Sequence, residues 1–465
     1  MGVLLSNFSH PYIANSEQDK KEMLAELGLN SIDELYSDIP DSIRFKGKLE
    51  LPHFQSEFEV KEHIEKLLSK NVSTRECRSF LGGGLLDVYI PAAQDELLRR
   101  TEFYSAYTPY QPETSQGTLH TLFEYQSMIC ELLAMDTANC SMYDWATALG
   151  EAALMTARIN KKGNKFLYTA ATAPNRKEVL KNYVSGAKLE IIEIPYDKET
   201  GKMDKEKAIE LMGEGVVGIY FENPNYFGVI EDEIEEVIKV AKEKKIVVVA
   251  GVDTSSLGIM EAPGNYGADI AIGDAQSIGA GPLNYGGPLA GVFAMKFDKK
   301  WTRQMPGRIV GITLTPKKGK WAFTNTLQTR EQHIKRFRAT SNICTNEALM
   351  AMSTAFHLAL LGPQGLKETG ESMYYNAHYL KEELEKIGVK TVFNSEFFNT
   401  FLVDLKIPKD KKEEFTKFML ERKIFAGIPF SFDGETYDYL ITTSYLLKKK
   451  DLDDYVKAIE EWRNE

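Results

Sequence analysis

Three apolar runs between Ile246 and Met295 constrain the fold more than any other stretch of the chain. Ile246–Val252 is almost wholly apolar and ends on Asp253. Ala268–Gly273 is the second run and Leu289–Met295 the third, with a glycine-rich turn, Gly279–Gly287, between them. Short apolar runs bounded by Gly and Pro read as neighbouring buried strands. Upstream, strand-like segments at 165–169, 189–195 and 216–221 alternate with helical ones at 175–185, 205–212 and 232–244. The last helix carries Ile234, Val237, Ile238 and Ala241 on one face. This alternation predicts a mostly parallel sheet with helices on both faces. In such a sheet the residue closing a strand opens on the ligand crevice, so Asp253 and Glu222-Asn223-Pro224-Asn225 belong to one edge.

A strand-end acid followed by a lysine suits a pyridoxal phosphate (PLP) enzyme. The acid pairs with the pyridinium nitrogen and the lysine forms the Schiff base. Asp253 fits the first role, but no lysine occurs from Asp253 to Met295. Ser277 stands where the lysine is expected, 277 − 253 = 24 residues on. Lys296 follows the third run beside Asp298, Lys299 and Lys300 and reads as a solvated strand end. The chain has the frame of a cofactor site without its covalent anchor.

Other signals are local. Residues 1 to about 70 read as polar and helical, with capping boxes at Ser31–Glu34 and Ser56–Glu59. Gly82–Gly84 lacks the preceding strand and following Lys-Ser or Lys-Thr of a phosphate loop, and reads as a tight backbone passage. Tyr107–Thr118 holds two prolines, which forbid helix, and a dense set of aromatic, amide, carboxylate and hydroxyl groups. It reads as a functional arm or as an extended arm held by its own hydrogen bonds. Leu119–Ala134 is an amphipathic helix. The helix from about Trp145 to Asn160 has an N-terminus that suits an anion, or is an ordinary start capped by Thr147. Trp301–Thr345 is loop-rich and basic; one histidine, His333, without a second at ligand spacing is poor evidence for a metal. Its arginines suit carboxylate or phosphate groups, or subunit contacts. Helices are expected at 346–361 and 365–387. A smaller α+β domain follows, with strands near 398–405 and 439–444 and helices at 411–422 and 451–463.

Composition excludes several classes. The net charge is −11, with no basic run of nucleic-acid type, which argues against DNA or RNA. Four cysteines without a C-x-x-C suggest a reducing cytoplasm. No apolar run is long enough for a membrane span. Met1–Ser6 matches the myristoylation pattern in form only, because no polybasic segment follows. No signal peptide is expected.

Six stretches together resemble one family. They are Tyr107–Thr118, Glu222–Val229, Gln276-Ser277 with Gly286-Gly287-Pro288, Met305–Gly311, Leu327–Ile334 and Ala339–Asn346. The family is the P-protein of the glycine cleavage system, a glycine dehydrogenase (aminomethyl-transferring), in the alpha-subunit branch of its two-subunit form. The resemblance implies the type I PLP-enzyme fold: a large α/β domain over 121–345, a small α+β domain over 346–465, and an N-terminal region with an interface arm over 1–120. It also implies a cytoplasmic heterotetramer in which PLP is carried by the beta subunit, glycine is decarboxylated, and the aminomethyl group passes to the lipoyl arm of H-protein. No catalytic residue of the chain's own is then expected. Thr108, Tyr110, Gln111, Glu113, Ser115 and Gln116 become candidates to complete the partner's site. Asp253, Asn223, Gln276 and Ser277 become the remains of a cofactor crevice. Trp145 departs from the family pattern, where a small residue is expected, as does Thr442-Thr443-Ser444, where a Thr-Glu ending is more usual. Two rivals stay open: a self-sufficient PLP aminotransferase or decarboxylase using Lys296 or another lysine, and a purely structural partner.

Overall fold

The computed structural model describes residues 15–464 apart from Lys48, His53, Phe54, Ser105, 283–286 and Lys318. The Met1–Ser6 pattern and most of the second half of the glycine-rich turn, with Gly286, lie outside the described residues. The chain forms two compact units, Met1–Asn71 and Val72–Glu465.

In the first unit, the helices Glu17–Glu26 and Glu57–Leu68 have no buried residue. The expected capping box at Ser56 is present: the Glu59 amide donates to Ser56 Oγ, and the Ser56 amide donates to Glu59 Oε2 at 2.7 Å. The one expected at Ser31 is not. Ile32–Tyr36 is a 3₁₀ turn, and Glu34 accepts instead from the Asn30 amide at 3.0 Å. The tighter 3₁₀ rise puts the glutamate out of register for a box.

The second unit is built on strands numbered here in chain order: β1 (Arg78–Ser79), β2 (Thr137–Ala138), β3 (Lys165–Thr169), β4 (Glu190–Ile194), β5 (Val216–Glu222), β6 (Val247–Asp253), β7 (Ile270–Asp274), β8 (Gly291–Met295), β9 (Ile309–Leu314), β10 (Trp321–Thr326), β11 (Thr400–Pro408), β12 (Ile424–Phe425), β13 (Ile428–Phe430) and β14 (Thr436–Thr442). The central sheet has the order β2-β8-β7-β6-β5-β3-β4. From β4 to β7 it is parallel, and β8 runs antiparallel to β7. The three apolar runs at 246–295 are therefore adjacent strands, as their pattern predicts. β5 is buried at every residue and β6 at all but Asp253, because helices cover both faces. The helix Ile234–Glu243 seats Ile234, Val237, Ile238 and Ala241 in the core, each large aliphatic contributing roughly 1.5–3 kcal/mol.

The loop expected over 301–345 contains an antiparallel hairpin, β9 with β10. Its strands are short and half exposed, so they lack a continuous apolar run. The two helices expected at 346–361 and 365–387 meet at Gly362, whose φ of +64° and following Pro363 break the run Ala348–Lys386. Beyond it, β11, β14 and β13 form a second sheet, packed with the helices Lys412–Glu421 and Lys449–Asn464. No described helix is long and apolar enough to cross a membrane.

Candidate functional site

Three neighbouring parallel strands end in acids at one edge of the sheet: β5 in Glu222, β6 in Asp253 and β7 in Asp274. Burial pushes all three carboxyls above their ordinary range, that of Asp274 to about 7. Each is satisfied within the chain. Asp253 Oδ1 accepts from the Ser255 amide at 2.9 Å and from Ser255 Oγ at 2.7 Å. Ser277 Oγ stands 3.5 Å from Asp253 Oδ1 and 3.1 Å from Thr254 Oγ1. Asp274 Oδ1 accepts from the Gln276 amide at 2.8 Å.

Glu222 belongs to a chain of contacts that fills the crevice. Arg176 Nη1 donates to Glu222 Oε2 at 2.8 Å, with both side chains buried. Tyr220 Oη donates to Glu222 Oε1 at 2.9 Å, and Trp145 Nε1 donates to Tyr220 Oη at 3.1 Å. The Arg176 guanidinium lies 3.6 Å from the Trp145 ring centre. Gly84 admits it: a Cβ there would come within 2.8 Å of Arg176 Nη2, at a backbone φ of +97°. Gly82–Gly84 is thus the tight passage expected.

The space left beside Arg176, Glu222 and Asp253 is a cavity of about 40 Å³. Ligand pockets usually span about 300–1,000 Å³, so it has room for ordered water and little else. The helix Trp145–Ile159 offers no anion site either. Its cap is Asp144, not Thr147: Asp144 Oδ1 takes the Thr147 amide at 2.7 Å, and Thr147 is the third residue of a capping box. A carboxylate stands where a phosphate would bind. A serine cannot form an imine, and no lysine lines the crevice among the described residues. Lys296 follows β8, bonded to the backbone of Asp269 and Ala134. Because β8 is antiparallel, that places it at the sheet edge opposite Asp253. The residues present do not fit PLP.

Two residues expected in the crevice face elsewhere. Asn223 exchanges bonds with the backbone of Glu231. Gln276 is fully buried and pairs both ends of its amide with the backbone of Leu86, at 2.9 and 2.8 Å. Sequence reading missed Arg176 and Tyr220, whose partners lie on other elements. It also missed Glu231, which accepts from Asn225 Nδ2 at 2.9 Å and from the Met203 amide. Burial pushes its carboxyl up to about 7.

The arm at 107–117 lies against the β9–β10 region. Arg308 Nη2 donates to Tyr110 Oη at 2.8 Å, and Nη1 donates to Thr108 Oγ1 at 3.4 Å. The His333 ring meets Tyr110 edge-on at 5.5 Å, and Asn325 Nδ2 donates to the Pro109 carbonyl at 2.9 Å. Gln116 Oε1 accepts from the Phe323 amide, while its Nε2 donates to the Pro112 and Phe323 carbonyls. Ser115 is buried. These two serve the chain's interior, whereas Gln111 and Glu113 are exposed. Tyr107 is 83% exposed and Tyr110 44%. Beneath them, Arg308 Nε and Glu331 Oε2 lie 3.6 Å apart, both buried and neither hydrogen-bonded. Asn325 Oδ1 is also unpaired. Arg330 is spent on the carbonyls of Leu327, Met305 and Gly307. Among the described residues, no group of three metal-ligating side chains occurs.

The family model of the glycine cleavage system P-protein matches residues 10–459. The chain belongs to this family. A probable glycine dehydrogenase (decarboxylating) subunit 1 of Thermococcus kodakarensis is 47% identical over 97% of this chain and 98% of its own. The protein of the same description from Sulfolobus acidocaldarius is 42% identical over 97% and 99%. Among solved structures, an inhibitor-bound glycine decarboxylase (P-protein) of the glycine cleavage system superposes with a TM-score of 0.86 at 35% identity, covering 97% of this chain and 100% of that one. A sphingosine-1-phosphate lyase of Burkholderia pseudomallei, 13% identical with a TM-score of 0.63 over 92% and 94%, shares the fold alone. The P-protein chain described here has the type I PLP-enzyme fold, as the resemblance implied.

Proposed function

We propose that this chain is the alpha subunit of a glycine dehydrogenase (aminomethyl-transferring), acting in the cytoplasm with a PLP-carrying beta subunit. Together they decarboxylate glycine and pass the aminomethyl group to the lipoyl arm of H-protein. The observation that carries this reading is the pairing of Ser277 with Asp253 in a crevice closed by Arg176 and Trp145. A chain so built has no place for the cofactor, so the covalent chemistry falls to its partner.

The chain's own contribution is assigned to the arm. Tyr110 Oη accepts from Arg308, which leaves its hydroxyl proton to donate outward. Glu113 and Gln111 offer a carboxylate and an amide from an exposed turn that Pro109 and Pro112 stiffen, so little ordering is needed when the partner docks. Thr108 supports the same arginine. The test is co-expression with a beta subunit, followed by glycine–bicarbonate exchange with H-protein, each component left out in turn. Exchange is expected only with all three present. Exchange by beta and H-protein alone at the full rate, or by this chain and H-protein without beta, overturns the assignment.

A further inference from the structure

A second cavity lies far along the sequence from the crevice residues, between the β1–β12 pairing and the start of the C-terminal helix Lys449–Asn464. It encloses about 390 Å³. Its walls present six cations, Arg75, Arg78, Arg422, Lys423, Lys448 and Lys450, against three carboxylates, Glu76, Asp451 and Asp454. On a chain of net charge −11 such a concentration is unexpected.

The carboxylates offset it only in part: with the Arg78–Asp451 and Arg422–Glu461 pairs set aside, Glu76 and Asp454 face four cations. Glu76 accepts from the Ser73 amide and hydroxyl. Asp451 is shared between Arg78 Nε at 2.9 Å and the Lys448 amide at 2.9 Å. Arg422 turns its Nε to Glu461 at 2.9 Å and stacks on Phe418. Arg75, Lys423, Lys448 and Lys450 remain, all exposed, and none makes an ion pair among the described residues. The cavity walls are set by backbone pairing: the Arg78 amide donates to the Lys423 carbonyl at 2.8 Å, and Arg78 registers with Ile424.

The helix start supplies an independent observation. Lys448, Lys449 and Lys450 occupy the cap and first two positions of a sixteen-residue helix. The amides of a first turn carry the positive end of the helix dipole, which favours anions and disfavours cations. Asp453 answers Lys449 at 2.9 Å and Asp451 accepts the Lys448 amide, which leaves the Lys448 and Lys450 ammonium groups as the cations without an ion pair at that turn among the described residues.

We propose that this cavity binds a small polyanion, an organic phosphate or a polycarboxylate, between Arg75, Lys423, Lys448 and the first turn of the C-terminal helix. The cavity is of ligand size. Its apolar lining is Ile424, and no aromatic ring stands in it among the described residues, so it recognises charge and not a stacked base.

The full chain is titrated calorimetrically with pyrophosphate and, separately, with citrate at low salt. Saturable binding of either is expected, and the stronger of the two identifies the class. The double variant K448Q/K450Q weakens it by about ten-fold or more. K299Q/K300Q, a change at exposed lysines on a different helix, leaves it unchanged. Without ligand, K448Q/K450Q melts above the parent chain, because it removes cations from the positive end of the helix. The ligand raises the melting temperature of the parent and not of the variant. Absence of saturable binding by both anions, or parental affinity in K448Q/K450Q, overturns the proposal. So does binding of a glutamate-rich peptide with neither small anion bound.

Discussion

The cofactor crevice and the arm face are opposites. In the crevice, Arg176, Glu222, Tyr220 and Trp145 satisfy one another, and Asp253 is held by Ser255 and Ser277. About 40 Å³ is left. At the arm face, Tyr107 is 83% exposed, and Phe337, four residues after His333, is 90% exposed. Near Tyr110, the buried Arg308 Nε and Glu331 Oε2 form an ion pair at 3.6 Å with no hydrogen bond, and Asn325 Oδ1 is buried without a hydrogen bond. Buried polar groups are normally hydrogen-bonded. The first region is finished without a ligand. The second leaves exposed rings over polar groups that are only partly paired.

The largest effect expected is at the crevice, and it falls on stability alone. Arg176→Ala strands Glu222 in a site from which water is largely excluded, and costs about 3–5 kcal/mol. Replacing both partners by methionine recovers most of that, because two desolvated charges are removed together. Urea unfolding of the three proteins measures it. Exchange activity per assembled complex stays at the parental level in each, and loss of it would show that the crevice still works. Ser277→Lys alone takes up no PLP on equilibrium dialysis, since space and not only the amine is lacking. Uptake would break the contrast.

Glu231, beneath Asn225 at the crevice edge, comes next. Its carboxyl is raised by burial from 4.5 to about 7. Between those values the folded chain binds more protons than the unfolded one, so stability falls as pH rises. The contribution is fully present below pH 4.5 and lost by the time pH passes 7, amounting to roughly 3 kcal/mol at most. Denaturation at pH 5 and pH 8 measures the slope. Glu231→Gln lowers the slope without abolishing it, because Asp274 is raised to about 7 as well, and an unchanged slope in that variant assigns the proton to another group.

The crevice was legible as far as it depends on one segment. Asp253 closes a strand, and Ser277 falls at a fixed distance along the same stretch, so the missing lysine shows in the sequence. What fills the space did not show. Trp145 and Arg176 start or sit in different helices and meet only through packing, and Glu222 was read as an edge residue without its partner. Asn223 was expected in the crevice because of where its strand ends, and Gln276 because of the resemblance carried by Gln276-Ser277. Their amides instead serve backbone at Glu231 and at Leu86, the latter 190 positions away. The hairpin β9–β10 was hidden because short, half-exposed strands leave no continuous apolar signal. The arm was legible as special from its density of polar and aromatic groups. Which of those groups face inward, as Ser115 and Gln116 do, needed the positions of Pro112 and Phe323.

At the arm face the expected losses are in turnover. Tyr110→Phe keeps the ring against Arg308 and His333 and removes only the hydroxyl. With Glu113→Gln as its companion, each lowers glycine exchange by on the order of 100-fold, the scale of a misplaced reacting group. Size-exclusion chromatography with beta shows unchanged assembly. Parental exchange in both variants would leave the arm a purely structural element.

The smallest effect is the most discriminating. Phe337 is nearly free of its own chain, so Phe337→Ser changes the unfolding free energy of the isolated subunit by less than about 0.5 kcal/mol. An exposed aromatic that seats in a partner typically contributes more than about 1 kcal/mol to the complex. The variant therefore binds beta several-fold more weakly while melting like the parent, and raising the beta concentration restores exchange. A crevice variant such as Arg176→Ala does the reverse, melting early and binding normally once folded. If Phe337→Ser binds beta with parental affinity, the interface lies off this segment, and the Arg308–Glu331 pair is not covered by a partner seated on Phe337.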